Sequence, residues 1–288
     1  METSKLITVN SLSGGKSSSY IAANYPADYN VFSLVRTDDK KCIYPDKKIR
    51  QIVSDKIGVD FIGTLEQDNI ITIMLDLEQF IGKEIVWLAP PTFDTIINKN
   101  LKGKVLPNQM HRQCTHYMKF KPILEWWQKT IGNTCDMRIG FRYGEEKRKE
   151  RISERLIDGF QWDKVIIGKS KNGRNKWENK KWRKISYPLI DNMIKSIDID
   201  NFWKNNKQVK FKEGYYNNCV GCFHRNSLFL NKMAQEHKNK MQWFADQENE
   251  KKYWRSKKEI YKDIMKYKPQ VELKFKDFNE CDSGYCGL

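Results

Sequence analysis

The sequence predicts an α/β protein: a doubly wound, mainly parallel β-sheet followed by a mainly helical, cysteine-containing C-terminal part. Over the first two thirds of the chain, short apolar runs alternate with stretches of helical spacing, which is typical of βαβ units. A glycine-rich loop follows the first of these runs. From about residue 191 onward, long charged stretches with helical apolar spacing replace the alternation.

The predicted elements follow one another in a regular order. The apolar run at residues 6–9 predicts a first strand. A helix over residues 46–57 is expected to end at Gly58, because glycine readily adopts the left-handed conformation of a helix C-cap. In a helix over residues 120–131, Pro122 must occupy the first turn. Further strands are predicted over residues 31–35, 59–62 and 137–141, and a further helix over residues 18–24. The stretches at residues 227–252 and 256–266 have helical apolar spacing and predict a mainly helical C-terminal part.

The composition is that of a globular protein with an excess of positive charge. No apolar run approaches the length that crosses a bilayer, and the N-terminus lacks signal-peptide features, so we expect a soluble, cytoplasmic protein without a membrane partner. The 52 Lys and Arg residues against 36 Asp and Glu give a net charge of +16. Such an excess favours polyanionic partners, although a solvated basic surface would have the same composition. Because aromatic residues interrupt several basic segments, we predict nucleic acid as a partner.

Residues 13–18, with the sequence SGGKSS, form the glycine-rich loop. They do not match the P-loop, which has four residues between its first glycine and its Gly-Lys pair. A loop that enters a helix N-terminus offers backbone N–H groups and a positive dipole end to an anion. A glycine turn with a serine cap would have the same sequence. The position after the first strand favours phosphate, and the candidate ligands are Ser13, Gly14, Gly15, Lys16, Ser17 and Ser18.

Three later segments occur in a fixed order with this loop: CTHYMKFKP at residues 114–122, GFRYGEEKR at 140–148 and YPLID at 187–191. Together the four resemble the SGGxDS loop, the Cys-x4-Lys-x2-Pro segment, the Gly-Ile-Arg-x-x-Glu-x-x-Arg motif and the Pro-Leu-x-Asp turn of the PP-loop ATP pyrophosphatase superfamily. The resemblance is to the branch that contains phosphoadenosine phosphosulfate (PAPS) reductases and DNA phosphorothioation enzymes. It covers roughly residues 5–225.

The resemblance implies a Rossmann-like domain of the adenine nucleotide alpha hydrolase type in residues 1–190, followed by a helical region in residues 191–288. It implies ATP or PAPS as the nucleotide, with Mg²⁺ as a further candidate cofactor. Ser17 departs from the motif, which has aspartate there, and Thr37 alone carries over from the Asp-Thr-Gly that follows the second strand. The implied nucleotide-binding residues outside the loop are Thr37 and Gly140, and the implied catalytic residues are Arg142, Glu145 and Arg148.

The implied catalytic residues also have a physical rationale. A guanidinium group presents a planar fork of donors that fits phosphate or sulfate oxygens, so Arg142 and Arg148 suit such a substrate. Glu145 is expected to position an arginine or a metal-bound water. A charged first turn of a helix is the alternative explanation for residues 145–148.

Seven cysteines in an intracellular protein favour metal binding or catalysis over disulfides. Cys219 and Cys222 form a CxxC sequence in which Gly221 permits a tight turn. Four thiolates hold zinc or an iron–sulfur cluster, and a zinc site made of this pair with Cys281 and Cys286 is one interpretation. The resemblance implies instead a [4Fe–4S] cluster on Cys114, Cys219 and Cys222, with Cys286 as fourth ligand and Cys281 as its alternative. Cys42 and Cys135 are expected to pack as small apolar side chains.

The sequence is compatible with three functions. The first is ATP-dependent activation and sulfur-related modification of a nucleic acid, a sulfotransfer-type transferase reaction with a sulfur-donor protein as partner. The second is reduction of a sulfonucleotide by a C-terminal cysteine; we rank it lower because a small dianionic substrate does not require so basic a protein. The third is a non-catalytic nucleotide- or DNA-binding partner in a modification or defence system, which the serine at position 17 leaves open.

Overall fold

A computed structural model describes residues 5–212 and 219–267. Six strands form one sheet in the order β3-β2-β1-β4-β6-β5. The strands are β1 (Ile7–Leu12), β2 (Tyr29–Ser33), β3 (Ile85–Leu88), β4 (Cys135–Arg138), β5 (Phe160–Lys169) and β6 (Asn175–Ser186). Four of the five strand pairs are parallel and the β5–β6 pair is antiparallel, which confirms the predicted α/β class with a mainly parallel sheet.

Helices connect and cover the strands. They are α1 (Lys16–Asn24), α2 (Lys47–Ile57), α3 (Asn69–Ile81), α4 (Phe93–Thr95), α5 (Gln113–Thr115), α6 (Lys121–Thr130), α7 (Glu146–Ser153), α8 (Pro188–Asp191), α9 (Ser196–Asn205), α10 (Ser227–Glu236), α11 (Lys238–Asp246) and α12 (Tyr261–Lys266). π-helical turns cover Ile96–Asn100 and His116–Phe120, and a 3-10 turn covers Lys40–Cys42. No helix in these two described ranges is long and apolar enough to cross a membrane.

Several predicted elements agree with the structure at their ends. The helix α2 ends at Gly58, whose φ of 68° is left-handed, as expected. The helix α6 holds Pro122 in its first turn, also as expected. The strand predicted over residues 59–62 is wrong: this segment is a loop, because the Phe61 N–H donates its hydrogen bond to the Ser54 hydroxyl and does not pair with a strand. The strand predicted over residues 137–141 is shifted, since β4 ends at Arg138.

Apolar patterning did not reveal α3, β3 or the β5–β6 hairpin. The hairpin strands are rich in lysine and mostly exposed, so they lack the regular alternation of a half-buried strand. The stretch of helical spacing at residues 227–252 contains two helices, α10 and α11, which are separate because His237 adopts a non-helical conformation between them.

Successive residues of the central strands contribute to cores on opposite faces of the sheet. On β2, Phe32 belongs to a cluster with α1, α3 and α9, whereas Val31 belongs to a cluster with Trp127 of α6. Adjacent strand residues point to opposite faces, so helices cover both sides of the sheet, as a doubly wound fold requires. The division of the chain near residue 190 stays a prediction.

A third core lies beyond the ends of the strands. It joins α10, α11 and α12 to residues that follow β2 and β3, such as Val35 and Phe93. Phe93 makes edge-to-face contacts with Trp243, Phe244 and Trp254 at ring-centre distances of 5.3–5.9 Å. The C-terminal helices are therefore packed over the loops that leave the carboxyl ends of β2 and β3.

Candidate functional site

The strand order places a crevice between the loops that follow β1 and β4. From β1 the chain continues to β2 on one side, and β4 lies on the other side, so the order changes direction at this pair. In open α/β sheets, ligands bind at such a point beyond the carboxyl ends of the strands. The predicted loop of residues 13–18, called the glycine loop below, leaves β1 at this crevice.

The glycine loop has a defined backbone conformation. Gly14 has a φ of 77°, a left-handed value that favours glycine. The Ser18 hydroxyl accepts a hydrogen bond from the Ser13 N–H at 3.2 Å and donates one to the Gly15 carbonyl at 3.0 Å. Gly15, the N-cap residue of α1, has no side chain that could cap the first N–H groups of the helix, and such groups are the ones that bind anions at helix N-termini.

Lys16 is directed towards α9. Its ammonium group forms an ion pair with Asp200 at 2.6 Å, and the Trp203 indole donates a hydrogen bond to its carbonyl at 2.9 Å. The side chain is partly exposed. Lys16 therefore connects the glycine loop to α9 through both its side chain and its carbonyl.

Gly140 lies against the glycine loop. A Cβ atom at this position would be 3.2 Å from the Ser18 amide nitrogen and 3.4 Å from the Ser17 carbonyl carbon. The first contact is tighter than most Cβ contacts, so a side chain at this position would require the glycine-loop backbone to shift by a few tenths of an ångström. The structure thus brings together two of the sequence segments that the resemblance connected.

Arg142, Glu145 and Arg148 form one charged cluster beside Gly140. The Glu145 carboxylate accepts hydrogen bonds from the Arg142 N–H at 2.8 Å and from its Nε at 3.3 Å, and binds Arg148 Nη1 at 2.5 Å. The Arg148 guanidinium also lies over the Phe141 ring, 4.0 Å from its centre. Because one carboxylate holds two guanidinium groups, the cluster keeps a positive charge and a fixed geometry.

Thr37 lies at the same edge of the sheet but is buried. Its hydroxyl donates a hydrogen bond to Asp94 at 2.7 Å, and the same carboxylate accepts bonds from the Asp38 N–H and the Trp243 indole, each at 2.8 Å. This network joins the chain after β2 to α4 and α11. The sequence did not single out Asp94, since a lone carboxylate carries no spacing signal.

Cys114, Cys219 and Cys222 line one small pocket, called the cysteine cavity below. Cys114 belongs to α5, and the other two belong to the CxxC turn before α10. Arg112 and Lys119 also line the cavity. The structure therefore brings together three of the four predicted metal ligands. The fourth, Cys286, and its alternative, Cys281, lie outside the described residues.

The three cysteines alone do not make a metal site. Within residues 5–212 and 219–267, no group of three or more His, Cys, Asp or Glu side chains is arranged to hold a metal ion. Burial raises the pKa of the Cys114 thiol, and the neighbouring Arg112 and Lys119 charges oppose this shift. A metal would have to displace the thiol protons on binding.

Packing holds the CxxC turn against the C-terminal helices. A Cβ atom on Gly221 would lie 2.4 Å from the Phe244 ring, and the Gly221 carbonyl accepts a hydrogen bond from the Tyr261 hydroxyl at 3.1 Å. We expected glycine here for a tight turn. The turn is present, with a hydrogen bond from the Cys222 N–H to the Cys219 carbonyl at 3.1 Å, and the structure adds a second reason, because the aromatic ring of α11 occupies the space of a side chain.

A buried carboxylate lies behind the CxxC turn. Glu66 pairs with Cys219 in an isolated β-bridge, and its carboxylate lies 3.7 Å from the Lys119 ammonium. Burial raises the pKa of Glu66 and lowers the pKa of Lys240, which donates hydrogen bonds to the Glu66 carbonyl and, at 2.7 Å, to Asp68. This ionic group connects α11 to the cysteine cavity.

Cys42 and Cys135 are buried, as expected for cysteines that pack as apolar side chains. Desolvation raises the pKa of each thiol to about 12, so neither is a reactive thiolate near neutral pH.

Comparison of the chain with protein-family models, with curated proteins and with solved structures found no match.

Proposed function

We propose that the protein is a nucleotide-binding enzyme of the PP-loop ATP pyrophosphatase type, with a sheet of the adenine nucleotide alpha hydrolase type. It uses ATP to activate a nucleic acid for a sulfur-related modification, with a protein as sulfur donor. The observation that carries the proposal is the close approach of Gly140 to Ser17 and Ser18 at the point where the strand order changes direction. Two arginines held by one glutamate lie directly after Gly140.

The residues of the crevice have complementary roles in this reaction. The backbone N–H groups at the start of α1 bind the β- and γ-phosphates, because they supply donors at a helix N-terminus and Gly14 and Gly15 carry no Cβ atoms. An acceptor oxygen attacks the α-phosphorus, the α–β phosphoanhydride bond breaks, and pyrophosphate leaves. Arg142 and Arg148 stabilise the charge that develops on the phosphoryl oxygens, and Glu145 fixes their orientation.

The glycine loop carries no carboxylate, since Ser17 stands at the aspartate position of the motif. Mg²⁺ would therefore enter with the nucleotide phosphates, which neutralises their charge.

We also propose a thiolate-bound cluster at the cysteine cavity as a second part of the site, one that forms only when a fourth cysteine joins the three on its wall. Its three thiols are soft ligands, and the cations Arg112 and Lys119 on its wall would offset the negative charge of bound thiolates. Cys114, Cys219 and Cys222 would hold a [4Fe–4S] cluster, with Cys286 as the fourth ligand. When bound, such a cluster would transfer electrons or offer an iron atom that binds sulfur. Zinc is the alternative metal at this site.

Product analysis tests the proposal. The protein is incubated with ATP or PAPS, with and without single- and double-stranded oligonucleotides, and the released pyrophosphate and adenosine 3′,5′-bisphosphate are measured. We expect pyrophosphate from ATP. Adenosine 3′,5′-bisphosphate from PAPS would instead identify a sulfonucleotide reductase, and neither product would identify a non-catalytic binding protein.

Arginine variants connect the products to the site. Arg142→Lys and Arg148→Lys should each lower kcat by about 10²- to 10³-fold, because lysine keeps the charge but loses the fork. Arg151 lies on α7, the helix that carries Arg148, and its side chain is exposed. Arg151→Lys is therefore the matched control and should keep full activity. Equal activity of all three variants would contradict the assignment.

A further inference from the structure

The β5–β6 hairpin extends beyond the parallel sheet. β4 pairs with Arg183–Ser186 of β6, whereas the preceding part of β6, from Asn175 to Lys181, pairs with β5. We call residues 162–169 and 175–181 the ribbon. Its turn is ordered by hydrogen bonds between Ser170 and Arg174 and by Gly173 at a φ of 74°.

The register of the ribbon puts six residues on one face. Between the two register shifts of β5, alternate residues share a face, and directly paired residues of an antiparallel ladder lie side by side. This outer face consists of Trp162, Lys164, Ile166, Trp177, Asn179 and Lys181. All six are exposed, with exposed fractions of 57% for Trp177 and 38% each for Trp162 and Ile166.

The opposite face of the ribbon packs against the protein in part, although Glu178 on this face is exposed. Val165 is buried in the core next to Trp127, and the Trp182 indole donates a hydrogen bond to Asp163 at 2.8 Å. Asp163 and Glu178, the two acidic residues of the hairpin, are both on this face. The register therefore removes both carboxylates from the outer face and leaves two lysines there.

The charge of the hairpin identifies the kind of partner. Residues 160–186 include nine Lys and Arg residues and two acidic ones, a net charge of +7 out of the +16 of the chain. Exposed indole rings are costly on a surface that contacts only water, and a flat ring between cations is a stacking platform for a nucleobase. A partner with phosphates and accessible base faces complements both features.

We propose that the outer face of the ribbon binds single-stranded nucleic acid, with bases stacked on Trp162 and Trp177 and phosphates near Lys164 and Lys181. The two tryptophans are separated by four residues along the ribbon, a distance of about 13 Å. A stacked strand advances about 3.4 Å per nucleotide, so about four nucleotides span the pair.

The ribbon lies at a distance from the candidate nucleotide site. β6 runs parallel to β1 and β4, so its start lies towards the amino ends of the strands, opposite the crevice. From Lys181 to Ser186 the chain covers about 17 Å, which corresponds to about five nucleotides. The ribbon is thus an anchor for the nucleic-acid partner of the proposed function. The choice of nucleic acid as the partner rests on the proposed function, but binding to the ribbon requires neither ATP nor catalysis.

Fluorescence anisotropy with a labelled oligothymidylate of about 20 nucleotides tests the anchor, using the full chain without nucleotide. Trp177→Ala should weaken binding by roughly tenfold or more, because one stacked base is lost. Lys164→Glu/Lys181→Glu should also weaken binding and should flatten the log–log salt dependence by about 0.7 per lost phosphate contact. The matched control is Lys47→Glu/Lys48→Glu on α2, two exposed lysines near the opposite edge of the sheet, which should bind within twofold of the parent.

Three outcomes would overturn the anchor. One is unchanged affinity of the Trp177→Ala variant, and another is tighter binding of the corresponding duplex than of the single strand. The third is an oligomer that dissociates on Trp177→Ala substitution in light scattering, which would make a second copy the occupant. If oligonucleotide binding depends on the ribbon while no pyrophosphate forms, the anchor holds and the proposed function fails. If pyrophosphate forms while oligonucleotide binding does not depend on the ribbon, the proposed function holds and the anchor fails.

Discussion

The crevice and the cysteine cavity differ in how the fold assembles them. The crevice is made by two short loops that leave adjacent parallel strands, and backbone contacts between Gly140 and Ser18 define it. The cysteine cavity collects side chains from α5, from the CxxC turn and from α11, and aromatic packing around Phe93 holds them together. The first site should therefore tolerate disturbance of the C-terminal helices better than the second.

Replacement of the CxxC cysteines should have the largest effect. In anaerobically purified protein we expect about four irons per chain and brown colour. Cys219→Ser and Cys222→Ser should each abolish both, because a cluster that has lost a thiolate ligand is lost with it. Cys135→Ser is the control, since that buried cysteine does not line the cavity and should keep the iron. Metal analysis by mass spectrometry gives the result, and stoichiometric zinc in colourless parent protein would contradict the cluster.

A separate readout tests the independence of the crevice. If the two sites are assembled separately, Cys219→Ser should still show a thermal shift with ATP. Loss of that shift together with the iron would mean that the cavity supports the crevice, and the comparison between the two sites would fail.

Gly221→Ala should have the next largest effect. The added methyl group meets the Phe244 ring at 2.4 Å, and overpacking of this kind costs about 1–3 kcal/mol of the free energy of unfolding. Urea denaturation measures the loss. Phe244→Leu in the same chain should recover part of it by making room, which a backbone effect at position 221 would not allow.

Gly140→Val should change binding more than stability. Its side chain would press on the Ser17 and Ser18 backbone, so the anion-binding amides move and nucleotide affinity should fall by at least tenfold, about 1.4 kcal/mol. Isothermal titration with ATP measures the affinity. Gly140 has no positive φ, so the expected effect comes from this contact and not from strain of a left-handed backbone. A folded Gly140→Val variant with parental affinity would remove the crevice as the nucleotide site.

The Lys16–Asp200 ion pair should have the smallest effect. Both side chains are partly exposed, and pairs of this kind contribute about 0–1 kcal/mol to stability. Asp200→Asn releases Lys16 from α9, and the free ammonium could then reach a bound phosphate. We expect slightly tighter ATP binding with nearly unchanged thermal stability, measured on the same protein preparation. Weaker ATP binding would indicate that the pair itself orders the glycine loop.

The sequence by itself determined those features that depend on neighbouring residues. The α/β class, the glycine loop before α1, the cap at Gly58 and the first-turn position of Pro122 all follow from periodicity and from the conformational limits of glycine and proline. The resemblance in four short motifs also depends on local sequence, and it selected Gly140, Arg142, Glu145 and Arg148 as candidate site residues.

Tertiary structure alone decided which distant groups meet. The carboxylate of Asp94, the Phe244 ring over Gly221 and the buried Glu66 carry no signal in their own segments, because their partners are far along the chain. The hairpin of β5 and β6 could not be predicted from the sequence for a related reason. Its strands gain stability from pairing with each other and bury few side chains, so their outer face keeps the charged and aromatic residues that a core would exclude.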